Sequence, residues 1–371
     1  MTTTPAPACD PGGRRITQSE ALELYRRCSV HELGRLAHDV TMRLHPEPYR
    51  TYVVDRNINY SNICTARCAF CNFKVLPGRP GGYVLSFDEI DRKIEELIGI
   101  GGTQILMQGG LVPSDRLPFD WYLHLLRHIK TKFPAIHVHA FSPPEIFAFH
   151  RVFDMPVSDV LLRLQEAGLD TIPGGGAEIL VDRVRNRIGV GKTKTAEYLQ
   201  VVREAHRIGM RTSATMMFGH VETLSERVEH LARIRDLQDE TGGVTAFICW
   251  TFQPENTPLG RIRPLPAEVH EPDGKRLALA GAHEYLRTLA ISRVFLDNVP
   301  NLQASWVTQG PRIGELALFF GANDMGSVLM EENVVSAAGT AYCLTEREIR
   351  SLITDAGWEP RKRNCYYELL D

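Results

Sequence analysis

Two hydrophobic periods alternate along the chain from about residue 51. Short stretches rich in β-branched and apolar residues, bounded by glycine, proline or polar residues, predict strands. They are TYVVDRNINYS, TQILMQGG, HVHAFSP, DTIPGGGAEI, RTSATMMFGH, TAFICWTFQP and NLQASWV. Between them, apolar residues recur every three or four positions, which predicts amphipathic helices. The helical stretches are SFDEIDRKIEELIGIG, FDWYLHLLRHIKTKF, VSDVLLRLQEAGL, TAEYLQVVREAHRIGM, SERVEHLARIRDLQDETGG, RLALAGAHEYLRTLAISRVF and GPRIGELALFF.

This alternation amounts to six or seven strand–helix units in about 280 residues. The pattern predicts an α/β fold and favours a (β/α)8 barrel of the TIM type, with an open doubly wound sheet as the alternative. In a barrel the carboxyl ends of all strands meet at one rim, where function gathers. The polar and glycine-rich residues expected there are, in strand order, Cys64, Gln108–Gly110, Ser142 and Glu145, Gly174–Glu178, Gly219–Glu222 and Gln253–Asn256.

The flanks of the barrel differ in pattern from its middle. Residues 1–15 are rich in Thr, Pro and Gly, which predicts a disordered tail. Two capping boxes with amphipathic stretches behind them predict an N-terminal helical extension over residues 16–50. The barrel is expected over residues 51–330, and residues 331–371 are expected to form a small C-terminal extension that packs on it.

Composition excludes some classes of function. With 42 basic and 45 acidic residues the charge is nearly balanced, which argues against a nucleic-acid or anionic-membrane partner. No stretch reaches the roughly 20 apolar residues that span a bilayer. The sequence therefore predicts a cytoplasmic protein whose specificity lies in a pocket. Outside one cluster the cysteines are scattered, and in a reducing cytosol we expect them to be thiols.

The cluster is NICTARCAFCNF, residues 62–73, with the spacing C-x3-C-x2-C at Cys64, Cys68 and Cys71. A structural zinc site requires four ligands, and a redox pair requires only C-x-x-C. Three thiolates on a four-iron cluster leave one iron without a protein ligand. The spacing favours such a cluster, with a three-cysteine zinc site or a redox sensor as the alternatives.

This spacing, with the aromatic Phe70 before the last cysteine, resembles the signature of the radical S-adenosylmethionine superfamily. The resemblance implies a barrel of that superfamily's kind, a 4Fe-4S cluster on the three cysteines, and S-adenosylmethionine bound to the open iron. Reductive cleavage of this cofactor yields methionine and a 5′-deoxyadenosyl radical.

The superfamily's cofactor-binding elements are assigned by position. Gln108, Gly109 and Gly110 stand where many members have Gly-Gly-Glu, but the acid is missing here, so Gln108 or backbone carbonyls would receive the methionyl ammonium. MFGHVE, with Gly219 and Glu222, resembles the strand-five element that lies against the adenosine. The remaining cofactor-binding candidates at the rim are Phe70, Ser142 and Glu178.

Three residues are candidate catalytic proton acceptors, namely His139, His220 and Glu145. A structural role is the alternative for both histidines. Arg183, Arg185 and Arg187 predict a solvated basic face, with binding of a substrate carboxylate as the alternative.

Further segments narrow the resemblance to one branch. INYSNICTARCAFCNF, HVHAFSPPEI, TIPGGGAEILVDRVR, ATMMFGHVET and NDMGSVLMEENVVSAAG look like the menaquinone-biosynthesis (futalosine pathway) branch, and within it the cyclic dehypoxanthine futalosine synthases. Members take hydrogen from C4′ of the ribose ring of dehypoxanthine futalosine, and the carbon radical adds to the benzoate ring. The resemblance also implies a one-electron donor such as flavodoxin or ferredoxin. The alternatives are an aminofutalosine synthase, a deazaflavin-cofactor synthase or a non-catalytic cluster or zinc protein.

Overall fold

The computed structural model describes residues 14–370 of the 371-residue chain, except 267, 270, 329, 332, 334–336 and 338–341. The strands are β1 (Tyr49–Val53), β2 (Asp55–Asn59), β3 (Arg67–Cys68), β4 (Gln104–Gln108), β5 (His137–Ala140), β6 (Thr171–Ile172), β7 (Gly189–Val190), β8 (Arg211–Phe218), β9 (Val244–Thr251), β10 (Asn301–Gln303), β11 (Asp324–Ser327) and β12 (Glu359–Lys362). The α-helices are α1 (Gln18–Arg27), α2 (Val30–Leu44), α3 (Phe87–Gly99), α4 (Phe119–Lys132), α5 (Pro143–Val152), α6 (Val157–Ala167), α7 (Asp182–Ile188), α8 (Thr195–Arg207), α9 (Leu224–Thr241), α10 (Ala282–Phe295), α11 (Trp306–Gln309), α12 (Pro311–Ala317) and α13 (Glu346–Asp355).

The main sheet has ten parallel strands in the order β12-β1-β11-β10-β9-β8-β6-β5-β4-β2. Strands β1 and β2 follow one another with only Val54 between them. The first pairs with β11 and the second with β4, so the continuous segment 49–59 joins the two ends of the order. The pairings therefore run round a ring, which confirms the (β/α)8 barrel and makes the open-sheet alternative wrong.

Helices surround the ring, and their apolar faces bury against it. In α3, for example, Ile90, Ile94 and Leu97 are buried at helical spacing behind a capping box at Ser86. The helices α1 and α2 begin at the capping boxes that the sequence predicts, and they pack against α9 and α10.

The C-terminal residues close the bottom of the barrel. Strand β12 pairs with β1, and behind it Arg363 lies buried with its guanidinium on the carboxylate of Asp324 at 2.6 and 2.8 Å. Thr51 also donates to that carboxylate at 2.6 Å. Because this buried charge pair is bonded on both sides, the floor is a closed plug.

Some elements escaped the sequence pattern. All seven predicted strands exist, but β11, which completes the ring, was not predicted, and neither were α5, α7 or the ribbon of β3 and β7. The strands β3 and β7 have two residues each and α7 has seven, which is too short to show a period. Cys28 is disulfide-bonded, so the expectation of thiols throughout is wrong at that position.

Of the tail expected over residues 1–15, residues 1–13 lie outside the described part of the chain. Within the described residues, no helix combines the length and the apolarity that crossing a membrane requires.

Candidate functional site

A cavity of about 320 Å³ occupies the barrel's centre, and its lining includes residues 173–176 and 304–308, which follow the carboxyl ends of β6 and β10. We call the residues that line it the lumen wall. We call residues 60–75, 109–111, 141–145, 173–178 and 219–222, which follow β2, β4, β5, β6 and β8, the rim turns. The ionisable and amide side chains of the lumen wall are Asp55, Asn57, Gln104, Gln108, His139, Glu178, Gln303, Arg363, Cys365 and Tyr367.

The three clustered cysteines lie in the first rim turn, which is held from several sides. The Cys64 amide donates to the Val75 carbonyl at 2.9 Å, and Lys74 Nζ donates to the Cys68 and Cys71 carbonyls at 2.6 and 2.7 Å. Cys68 itself belongs to β3, which pairs antiparallel with β7. The turn is therefore held mainly through hydrogen bonds to its backbone, and its thiol groups contribute little to its conformation.

The sulfur atoms are close enough to influence one another. Burial raises the pKa of the Cys68 thiol to about 11, Lys192 nearby opposes this, and Glu178, Cys71 and Cys64 add to it. The Leu111 amide donates to Cys64 Sγ at 3.3 Å, a bond that a thiolate ligand accepts.

No three described His, Cys, Asp or Glu side chains are arranged to hold a single metal ion. A cluster requires a different arrangement, because each thiolate binds a separate iron. One buried and two half-buried thiols, a backbone donor on one sulfur and a turn held through its main chain fit a cluster.

The turn after β4 lies directly against the cysteine turn. A methyl group at Gly110 would come within 2.0 Å of the Ile63 carbonyl oxygen and 2.8 Å of Cys64 Cβ, and one at Gly109 would meet the Tyr60 ring at 2.3 Å. Glycine is needed at both positions for this close approach. Gln108, which precedes them, lies in the lumen wall.

Glu145 is buried at the start of α5 and joins three rim turns. One carboxylate oxygen accepts the Tyr60 hydroxyl at 2.7 Å and the Gly109 amide at 3.0 Å, while the other accepts the Ser142 amide and hydroxyl at 2.8 and 2.6 Å. Phe141, just before Ser142, has φ 55°, a left-handed conformation that costs energy in a non-glycine residue. Glu145 is outside the lumen wall, so the structure places it as a tie between turns.

Glu178 lies in the lumen wall and pairs with a lysine that was not singled out from the sequence. Lys192 Nζ is 2.7 Å from Glu178 Oε1 and 5.2 Å from the centre of the Phe70 ring. Burial lowers the pKa of Lys192, but the Glu178 carboxylate and the Cys68 thiol outweigh burial, and the pKa lies above its ordinary value. A charged lysine thus stands beside the cysteines.

All three predicted basic-face arginines donate hydrogen bonds within the protein, and Arg187 does so to the Gly274 and Lys275 carbonyls at 3.0 and 2.6 Å. Arg185 is buried and donates to the Thr193 carbonyl at 2.9 Å and to Ala177, so a solvated face is wrong there. Arg183 donates to the Glu226 carboxylate at 2.6 Å.

The turn after β8 brings Gly219, His220 and Glu222 together, all buried. The Glu222 carboxylate accepts the Gly219 and His220 amides at 2.7 and 2.9 Å and Arg227 Nε at 2.9 Å. Burial acts to raise the pKa of Glu222, but the neighbouring His220 and Arg227 hold it well below its usual range. His220 bonds the Met217 carbonyl and the Val221 amide, so both ring nitrogens are engaged. Both side chains lie outside the lumen wall.

His139 lies in the lumen wall, one layer above Asp55 and Gln104. Its Nδ1 bonds the Thr171 hydroxyl at 2.7 Å, and no hydrogen bond among the described residues reaches its Nε2. Burial lowers the pKa of His139 to about 3, with His137 and Arg363 adding to the effect, so the ring is neutral.

Below His139, the Gln104 amide donates to Asp55 at 3.2 Å, while Gln104 Oε1 is buried without a hydrogen-bond partner among the described residues. Burial raises the pKa of Asp55. The lumen thus offers acceptors that the protein itself leaves unused. The sequence pattern marked Asp55 and Gln104 only as strand residues.

Two family models divide the chain between them. The model described as the radical SAM superfamily matches residues 58–234, which contain the cysteines and the rim turns. The model described as the CofH/MqnC C-terminal region matches residues 241–371.

Whole-chain relatives carry three different names. A cyclic dehypoxanthine futalosine synthase of Halalkalibacterium halodurans is 44% identical over 96% of this chain and 92% of its own length. A 5-amino-6-(D-ribitylamino)uracil–L-tyrosine 4-hydroxyphenyl transferase of Methanosarcina acetivorans is 42% identical over the same shares. The aminodeoxyfutalosine synthase of Thermus thermophilus is 38% identical, again over 96% and 92%.

A solved structure supports the fold. The chain superposes on methylornithine synthase with a TM-score of 0.67 and 17% identity, covering 94% of this chain and 95% of that one.

Proposed function

The chain belongs to the radical S-adenosylmethionine superfamily, in the branch with the CofH/MqnC C-terminal region, and we propose that it converts dehypoxanthine futalosine into cyclic dehypoxanthine futalosine. The observation that carries this proposal is the 44% identity to a named cyclic dehypoxanthine futalosine synthase over nearly the whole length of both chains. Membership in this branch makes the protein an enzyme and removes the non-catalytic alternatives.

The family implies a 4Fe-4S cluster and S-adenosylmethionine, and we assign the cluster to Cys64, Cys68 and Cys71. When bound, such a cluster supplies the electron for reductive cleavage of S-adenosylmethionine. The chain's own part is to hold three thiolates at the rim and to leave the neighbouring space open. The Leu111 amide on Cys64 and the Lys192 ammonium near Cys68 are the groups available to stabilise thiolate charge.

Among the candidate cofactor-binding residues, Gln108, Gly109 and Gly110 have the best position for direct contact, because they stand between the cysteine turn and the lumen. Phe70 and Glu178 flank Lys192, whose ammonium group suits the methionyl carboxylate. Gly219 lies in the rim turn that follows β8, and its amide donates to the Glu222 carboxylate.

Ser142 and Glu222 are proposed to act indirectly. Their polar side-chain atoms are bonded within the protein, so they shape the rim turns that surround the cofactor.

Of the three candidate proton acceptors, His139 is favoured because it alone lies in the lumen wall with a nitrogen available. Ring closure onto the benzoate requires a base for the ring proton, and a neutral imidazole supplies one. The low pKa of about 3 is no obstacle, since loss of this proton restores an aromatic ring and a weak base suffices. His220 and Glu145 are bonded inside rim turns and are assigned structural roles.

The test is anaerobic reconstitution followed by reduction in the presence of S-adenosylmethionine and dehypoxanthine futalosine. We expect the cyclic product together with equal amounts of methionine and 5′-deoxyadenosine. The same enzyme is also offered an enolpyruvyl benzoate, and an adduct that retains the adenosyl group would instead indicate aminodeoxyfutalosine synthase activity. Because the transferase relative is nearly as similar, the same enzyme is offered 5-amino-6-(D-ribitylamino)uracil and tyrosine, and turnover of that pair would overturn the proposal. A one-electron donor of the flavodoxin or ferredoxin type is the expected physiological partner.

A further inference from the structure

A chain of hydrogen bonds leads from the lumen wall toward the bottom of the barrel. His139 Nδ1 and His137 Nε2 each lie 2.7 Å from the same atom, Thr171 Oγ1. His139 belongs to the lumen wall, whereas His137 is the first residue of β5 at the bottom end of the strand. His137 is only partly buried, and its ring lies edge-on to the exposed Tyr366 at 5.1 Å.

The hydroxyl of Thr171 decides how this chain is polarised. It carries one hydrogen, so it donates to one imidazole and accepts from the other. When His139 presents an unprotonated Nε2 to the lumen, its Nδ1–H donates to Thr171, and Thr171 donates to His137 Nε2. Both rings are neutral in this arrangement, which agrees with the pKa values of His139 and His137, both lowered by burial.

From this geometry we propose that His139, Thr171 and His137 form a relay that carries the proton released by ring closure from the lumen to solvent at the bottom of the barrel. This inference rests on the proposed function. That reaction turns the substrate and S-adenosylmethionine into cyclic product, methionine, 5′-deoxyadenosine and one proton. The electron that starts the cofactor's cleavage is returned when the cyclised radical is oxidised, so no further oxidant is needed.

Each bond in the relay is accounted for. The ring C–H bond breaks and its electron pair restores the aromatic ring, while a new N–H bond forms at His139 Nε2. The Nδ1 proton of His139 passes to Thr171 oxygen, and the Thr171 proton passes to His137 Nε2. His137 then releases a proton from Nδ1 to water.

The charges around the relay disfavour a proton that stays on His139. Arg363 and the second imidazole disfavour a positive charge on His139, so a proton that arrives there is passed on. At His137, Asp170 favours the positive charge while Lys130 opposes it. Cys365 Sγ, 3.4 Å from the Thr171 hydroxyl, is the remaining titratable neighbour. The neighbouring charges thus oppose a proton at His139, whereas at His137 they are of both signs.

The test is the substitution T171V, which removes the hydroxyl and keeps the shape. In anaerobically reconstituted enzyme we expect 5′-deoxyadenosine to form as in the wild type, while the cyclic product per 5′-deoxyadenosine falls about tenfold or more. T171S, which restores the hydroxyl, should recover most of that ratio. An unchanged ratio in T171V would overturn the relay and leave the proposed function intact.

A matched control comes from a second threonine–histidine pair, in which the threonine is buried and the histidine half-buried. Thr212 Oγ1 lies 2.9 Å from His206 Nε2, on the outer side of the barrel. T212V removes an equivalent bond outside the lumen, and we expect it to leave the ratio unchanged; an equal loss in T212V would reduce the T171V effect to packing and overturn the relay. If the wild type forms no cyclic product, the relay has no proton to carry and falls together with the proposed function.

Discussion

Two buried carboxylates of the rim turns, those of Glu145 and Glu222, have all their oxygens bonded within the protein. Two side chains of the lumen wall, Gln104 and His139, instead each keep an acceptor atom that no described residue uses. In the rim turns, the Glu145 carboxylate accepts four hydrogen bonds, and the Glu222 carboxylate accepts three. In the lumen wall, Gln104 Oε1 has no partner among the described residues, and His139 Nε2 receives no bond. All four side chains are buried. What separates a structural group from a candidate for chemistry is whether the protein already uses its atoms.

The largest effect is expected at the cysteines, because the proposed chemistry in both regions requires the cluster. C68A removes a proposed cluster ligand without touching the lumen wall. We expect loss of iron and of all 5′-deoxyadenosine formation, measured by iron content, visible absorbance and chromatography. The matched control is C343S, which changes an exposed cysteine. If C68A still cleaved S-adenosylmethionine, the assignment of the cluster would be wrong.

A second, smaller change tests whether the rim turns position the cysteines by contact. In G110A the new methyl group would collide with the Ile63 carbonyl oxygen, so the cysteine turn must shift. We expect iron content and product formation to fall several-fold while the helical signal in circular dichroism is kept. In the control G99A, nothing lies within 4 Å of the new methyl group, and helix propensity favours alanine. Equal iron content in the two variants would contradict the contact.

The lumen wall should respond in activity rather than in stability. H139Q keeps a polar side chain of similar size but cannot carry a proton, so product formation should fall about a hundredfold. Thermal unfolding should stay close to that of the wild type, because the lost nitrogen bonds only the Thr171 hydroxyl. Normal product formation in H139Q would remove His139 as the proton acceptor.

The rim turns should show the reverse pattern. E222Q removes the charge that faces the buried Arg227, and breaking such a pair costs about 3 kcal/mol of unfolding free energy. Urea unfolding measures this loss, and turnover per folded molecule should change far less than in H139Q. A stable but inactive E222Q would place Glu222 in direct contact with the cofactor.

The smallest expected effect is on the pH dependence of stability, which should have opposite signs for Glu222 and Glu145. Below about pH 4 the unfolded chain binds a proton at Glu222 while the folded protein does not, so this carboxylate's stabilisation is lost as the pH falls. Burial raises the pKa of Glu145, so the folded protein binds that proton first, and its contribution rises as the pH falls toward 4.

Urea unfolding between pH 3 and 7 should therefore show the wild-type advantage over E222Q shrinking toward low pH. The advantage over E145Q should grow on the same titration, by about 1 kcal/mol for each unit of pKa shift. Parallel curves for the two variants would contradict the opposite shifts.

Much of the fold was predictable because it follows local periods. Each of the seven strand stretches became a strand, and helices such as α3 and α9 begin at the capping residues Ser86 and Thr223. Strand β11 was missed because its sequence, DMGS, contains no β-branched residue and includes a glycine, and its pairing with β1 and β10 is a tertiary contact. Lys192 was missed for a related reason: it reaches the cysteines only because β7 pairs with β3.

From the sequence alone came the barrel, the cysteine spacing and the list of polar residues at strand ends, because these depend on neighbours within a few positions. Tertiary structure alone decided which of those residues have all their polar atoms hydrogen-bonded within the protein. Glu145, His220 and Glu222 are saturated by amides of their own or adjacent turns, while His139 keeps a nitrogen for the lumen. Hydrogen-bond saturation depends on atoms brought together from distant parts of the chain, and no local pattern encodes it.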